Sequence, residues 1–160
     1  MLKIAVCDDE QLYLDKTHAM LEQYAAEHDV EITAEAISNP SALLDSIEAG
    51  ERHDIYLLDI YMPGVSGMSV ATDLRSKGVR SPIIFLTSST EHAVEAFGVD
   101  ATHYLLKPYT QQHFFTAMDK AVQRISAHSA DSIVLKTGDH HPATGFDQAA
   151  DGNIQPMRTV

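Results

Sequence analysis

Five short apolar runs, each closing on a polar residue and each followed by a segment of helical period, limit this chain more than any other feature. They read "LKIAVCD" (2–8), "VEITAEAI" (30–37), "DIYLLD" (54–59), "PIIFLT" (82–87) and "HYLLK" (103–107). A nearly continuous apolar run is how a strand buried on both faces of a parallel sheet reads, whereas 30–37 alternates like a strand with one exposed face. Residues 11–27 place Leu14, His18, Leu21 and Tyr24 or Ala25 at helical spacing. Ser38-Asn39-Pro40 supplies a cap and a first-turn proline for a helix with Leu43, Leu44 and Ile47 on one face. Further helices follow near 66–77 (Met68, Ala71, Leu74), near 90–97 (Ala93, Phe97) and over about 110–127 (Phe114, Met118, Ala121, Val122, Ile125). Five strand–helix units predict an α/β fold built on a doubly wound, five-stranded parallel sheet.

That architecture gives the strand ends a meaning. In open parallel sheets the functional crevice lies beyond the carboxyl ends of the strands, where strand order reverses. Asp8 and Asp9 follow the first run, Asp59 the third, Thr87 the fourth and Lys107 the fifth. Crowded carboxylates repel one another, and a divalent cation among them relieves the repulsion. Oxygen ligands without a partnering His or Cys favour a hard ion, here Mg²⁺. A metal, a lysine and a hydroxyl around one carboxylate form an electrostatic cradle for phosphoryl transfer. Each residue also has a local reading: Asp8-Asp9 as a helix cap, Asp59 as the start of a turn into Met62-Pro63-Gly64, Lys107 as a solvated strand end. Five polar residues at the ends of four strands favour a shared site.

Composition narrows the function classes. A net charge of -12 with only 11 Lys and Arg argues against a nucleic-acid surface in this chain. The single Cys7 has no internal disulfide partner, and no apolar stretch approaches the roughly 20 residues a membrane span needs. "MLKIAVCDDE" turns acidic too early for a signal peptide, so the expectation is a cytoplasmic protein without membrane contact.

The order and spacing of "CDDE", "LLDIYMPGVSG", "FLTSS" and "YLLKPY" resemble the receiver domain of two-component response regulators over residues 1–127. "EHAVEAFGVDATHYLLKPY" (91–109) resembles the LytTR-type subgroup, whose receivers precede a β-rich DNA-binding domain. The resemblance implies a flavodoxin-like sheet of strand order 2-1-3-4-5. It makes Asp59 the phosphoacceptor for a sensor histidine kinase, with Mg²⁺ held by Asp9, Asp59 and the backbone carbonyl of Tyr61, and Asp8 assisting. Lys107 would neutralise phosphoryl charge, and Thr87 would bond a phosphoryl oxygen and let Tyr104 rotate inward. Lys107–Pro108 is expected to be cis. Dimerisation through the face of the fourth and fifth helices is the commonest assembly the resemblance implies. Small Ser88 leaves the site open to a phosphodonor, while bulky Tyr61 is expected to obstruct water and slow dephosphorylation.

Three other classes fit less well. A haloacid-dehalogenase-like phosphatase needs a second acid two residues after its nucleophile, and Tyr61 stands there. A nucleotide-binding domain lacks its glycine-rich loop, since "CDDEQL" follows the first strand. A degenerate receiver acting only as an interaction module would lack some of the acids, the Thr or the Lys, yet all are present. In the remainder, "DSIVLKTGD" (131–139) resembles the opening strand of a LytTR domain. Residues 140–160 show no sustained apolar period and are expected to be disordered. These 33 residues after 127 are too short for an output domain, so DNA contact would belong to a segment outside this chain.

Overall fold

The strands fall where the apolar runs stand. In a computed structural model, which describes residues 1–137, they are β1 (Leu2–Cys7), β2 (Ile32–Ile37), β3 (Ile55–Leu58), β4 (Ile83–Thr87) and β5 (His103–Leu106). They form one sheet in the order β2-β1-β3-β4-β5, with every pairing parallel. All four residues of β3 and all five of β4 are buried, while edge strand β2 alternates half-buried and exposed positions. Continuous and alternating sequence patterns thus correspond to central and edge positions.

The helices are α1 (Gln11–His28), α2 (Pro40–Glu48), α3 (Gly67–Ser76), α4 (Ala93–Gly98) and α5 (Gln111–Thr137). Two of the starts have local causes. Asn39 Oδ1 accepts the Ser41 N–H at 2.9 Å ahead of Pro40, and Ser66 Oγ accepts the Ser69 N–H at 3.2 Å.

Alternate residues of each strand feed two cores, one on each face of the sheet. Leu2, Ile4, Val6, Leu57 and Ile84 pack with Leu14 and Leu21 of α1 and Phe114, Met118 and Ile125 of α5. Ala5, Cys7, Tyr56, Leu58 and Phe85 pack with Leu43, Ile47, Val70 and Leu74 of α2 and α3. Each fully buried aliphatic or aromatic side chain contributes about 1.5–3 kcal/mol. Polar ties fix the first layer: Tyr24 donates to Asp119 Oδ1 at 2.8 Å, and the Thr17 and Tyr109 hydroxyls are paired in the interior.

One expectation fails here. Residues 131–137, expected as a strand, continue α5. No Gly or Pro interrupts 111–137, so the helical hydrogen-bond ladder runs on, whereas a lone strand would need a partner. Residues 138–160, with the rest of the expected strand and the expected disordered tail, lie outside the described residues. Among the described residues no helix is long and apolar enough to cross a membrane.

Candidate functional site

The strand order places β1 beside β3 in the centre of the sheet, with β2 and β4 outside them, so the order reverses between β1 and β3. Asp8 follows β1 and Asp59 follows β3. The Asp8 N–H donates to Ile37 O at 3.1 Å and the Asp59 N–H to Cys7 O at 2.9 Å, which extends the ladder to both acids. Asp8 Oδ1 accepts the Glu10 N–H at 2.9 Å and is thereby fixed in direction. On the other side the Lys107 N–H donates to Thr87 O at 2.7 Å. The ends of four strands therefore converge: Asp8 is 1 %, Asp59 4 % and Thr87 0 % exposed.

Three acids share one cation there. Lys107 Nζ lies 2.8 Å from Asp8 Oδ2, 2.9 Å from Glu10 Oε1 and 3.4 Å from Asp59 Oδ2, and 4.2 Å from the centre of the Tyr13 ring. Burial alone would lower the Lys107 pKa, but hydrogen bonds to Asp8 and Glu10 and the Asp59 charge raise it on balance, so the ammonium stays charged. Asp59 moves the opposite way for an acid. Burial first, then the Asp8 charge, push its carboxyl up to about 7, with Lys107 opposing and Asp9 adding to the rise. One ammonium does not compensate this many acids.

Two observations bear on what the site can hold. Asp8, Glu10 and Asp59 each present a carboxylate oxygen within 4.8 Å of the others, an oxygen-only donor set suited to Mg²⁺. Thr87 Oγ1 is buried without a hydrogen-bond partner, at a cost of about 1–3 kcal/mol in an apolar interior.

The remaining residues of interest ring this centre. Asp9 is exposed and stands outside the trio of carboxylates, reaching Asp59 through its charge. Glu10 is the acid that reading strand ends alone missed. It stands at the N-cap position of α1 without a side-chain capping bond, its N–H is held by Asp8, and its carboxylate reaches Lys107 instead. Gly67 was missed as well: a Cβ there would lie 2.0 Å from the Asp59 carbonyl oxygen, and its N–H donates to Ile60 O at 3.0 Å. The paired glycines of "GVSG" were the available signal.

Tyr104 is half-buried against Phe85, and its hydroxyl donates to Ser89 O at 2.6 Å. Tyr61 is 41 % exposed and its hydroxyl donates to Glu91 Oε1 at 2.6 Å, across to the loop after β4. Ser88 is exposed in that loop, and the Lys107–Pro108 peptide is cis. Cys7 is buried and hydrogen-bonds Met62 Sδ at 3.8 Å; burial and the neighbouring acids push its thiol up to about 12, so it is no nucleophile here.

Comparison with known proteins agrees with this geometry. The family model described as the response regulator receiver domain matches residues 4–119. The sensory transduction protein LytT of Bacillus cereus is 34% identical over 120 residues, 75% of this chain and 47% of that protein. The positive alginate biosynthesis regulatory protein of Pseudomonas aeruginosa is 33% identical over the same shares of each chain. This chain thus spans about half the length of these curated relatives. Among solved structures, the response regulatory domain of mrkE from Klebsiella pneumoniae superposes with a TM-score of 0.68 at 25% identity, covering 77% of this chain and 97% of that one. The response regulator TrrA from Thermotoga maritima, solved in complex with Mg(2+)-BeF, gives 0.63 at 25% identity over 76% of this chain and 99% of its own. With the strand order, the buried acids and these matches together, the chain belongs to the receiver domains of response regulators, in the group of the LytT and LytR regulators.

Proposed function

We propose that this receiver accepts a phosphoryl group on Asp59 from the phosphohistidine of a sensor histidine kinase. One observation carries the reading: a buried Asp59 lies 3.4 Å from the Lys107 ammonium, at the end of the strand next to the one that ends in the unpartnered Thr87 hydroxyl. An Asp59 carboxylate oxygen bonds to phosphorus as the bond from phosphorus to the donor's imidazole nitrogen breaks, and the electron pair leaves with the imidazole. Lys107 pairs with the phosphoryl oxygens, and Thr87 donates its hydroxyl proton to one of them. Asp59 and Asp8, two of the three carboxylates that meet there, would hold Mg²⁺ with the Tyr61 backbone carbonyl and with Asp9 turned in from the exposed rim, and the ion when bound would offset negative charge. The protein assists its own phosphorylation and dephosphorylation rather than turning over a separate substrate.

The switch follows from who competes for Thr87 and Lys107. A phosphoryl oxygen that takes the Thr87 hydroxyl draws the end of β4 inward, and the loop carrying Ser89 moves with it. Tyr104, bonded to Ser89 O, reports that movement to the surface of α4 and β5. Val94 and Phe97 of α4 and Leu106 of β5 are exposed there, which supports a homodimer through the α4/α5 face. In the longer proteins of this group the consequence is regulation of transcription in the cytoplasm, with DNA bound by a domain outside residues 1–137.

Intact mass after incubation with acetyl phosphate tests this reading. A gain of one phosphoryl group, about 80 Da, is expected with Mg²⁺ and is absent from Asp59→Ala or with chelator. A gain of the same size in Asp59→Ala would defeat it.

A further inference from the structure

Two tyrosines grip the loop between β4 and α4 from opposite sides. Tyr104, on β5, donates to Ser89 O at 2.6 Å from the inner side. Tyr61, two residues beyond Asp59, donates to Glu91 Oε1 at 2.6 Å from the outer side, and its ring centre lies 5.4 Å from that of His92. The loop has its own brace, since Ser89 Oγ accepts the Glu91 N–H at 3.0 Å. β3 and β4 are neighbours, and the Tyr61–Glu91 bond joins the segments that follow them. The bond therefore bridges the segments that leave two adjacent strands just past Asp59 and Thr87. Tyr61 remains 41 % exposed, so its direction rests on the bond to Glu91, with a side-chain hydrogen bond to Ser89 and the His92 ring beside it.

We propose that Glu91 is a positioning residue that latches Tyr61 across the mouth of the site and so sets how long a phosphoryl group survives on Asp59. This rests on the phosphoacceptor reading of Asp59 above. Loss of the group requires a water oxygen to bond to phosphorus in line as the phosphorus–oxygen bond to Asp59 breaks. Inorganic phosphate leaves, Asp59 recovers its carboxylate, and the water's protons pass to the phosphate and solvent. A latched ring occupies the approach; a released one swings into solvent and admits water. A phenol donating to a carboxylate is a strong, directional bond, and an amide oxygen preserves its geometry.

The test uses Tyr61→Phe, Glu91→Ala, Glu91→Gln and the double variant Tyr61→Phe/Glu91→Ala. Phosphoprotein half-life is read after removal of acetyl phosphate. In parallel, nitration of Tyr61 by tetranitromethane in protein never exposed to a phosphodonor is read by peptide mass. Tyr61→Phe and Glu91→Ala are each expected to shorten the half-life by about three- to tenfold, and the double variant by no more than either alone. Glu91→Gln should stay near the parent, and Glu91→Ala should speed nitration of Tyr61. An unchanged half-life in phosphorylated Glu91→Ala overturns the latch while leaving the phosphoacceptor reading intact, as do effects that multiply in the double variant. A parent protein that takes up no phosphoryl group defeats the phosphoacceptor reading and the latch's hold on it together, and unchanged nitration in Glu91→Ala shows that no such bond exists.

Discussion

Asp59 combines burial with like-charge neighbours, and its pKa, pushed up to about 7, has a direct consequence for stability. Between the ordinary carboxylate value and about 7 the folded protein binds a proton that the unfolded chain has already lost. Folding therefore weakens as pH rises through that window, and the penalty is fully present above it. In Mg²⁺-free buffer Asp59→Asn should be more stable than the parent at pH 8, by on the order of 2 kcal/mol, and equal to it near pH 4. Denaturant unfolding at the two pH values checks this; a gap independent of pH would contradict it. Gly67 sets a second limit at this scale. A methyl group there would meet the Asp59 carbonyl oxygen at 2.0 Å, so Gly67→Ala must displace the backbone that aims the carboxylate. Its expected cost is roughly 1–3 kcal/mol together with slower phosphorylation, read from unfolding curves and intact mass. Asp8, Asp59, Thr87 and Lys107 were visible in the sequence because strand ends are visible. Glu10, Gly67 and Glu91 were not, because their reach depends on turns that periodicity does not describe.

The elements follow the sequence pattern closely wherever burial on a face dictates period. All five strands were read within about two residues, including the alternating edge strand β2. The end of α5 was not, since β-branched and apolar residues in "SIVLKT" suit a strand locally, and continuity with the preceding helix decides. Arg75, at the end of α3, shows what pattern reading does not reach. Its guanidinium donates to Val99 O at 2.8 Å, Val79 O at 2.8 Å, Ser81 O at 3.0 Å and Asp100 O at 3.2 Å. It thus binds the turn into β4 to the turn into β5. Arg75→Ala should cost about 2–4 kcal/mol, and Arg75→Lys nearly as much, because an ammonium cannot reproduce the planar fork. Full rescue by Lys in thermal unfolding would show that charge alone matters.

At the level of the whole molecule, a chain of net charge -12 concentrates acids around one buried lysine at the point where strand order reverses. Mg²⁺ binding to the folded form alone should raise the melting temperature, with about 1.4 kcal/mol gained at ten times the dissociation constant. Asp59→Asn should remove most of that response, and a rise of equal size in the variant would place the metal elsewhere. The central claim, that Asp59 itself takes the phosphoryl group, is tested most directly by borohydride trapping. Treating the Mg²⁺- and acetyl-phosphate-loaded protein with borohydride reduces an aspartyl phosphate to homoserine, which peptide mass spectrometry locates. Homoserine at position 59, and at no other aspartate, is the predicted result. Homoserine at Asp8 or Asp9, or an intact aspartate at 59 in protein that has gained a phosphoryl group, would contradict it.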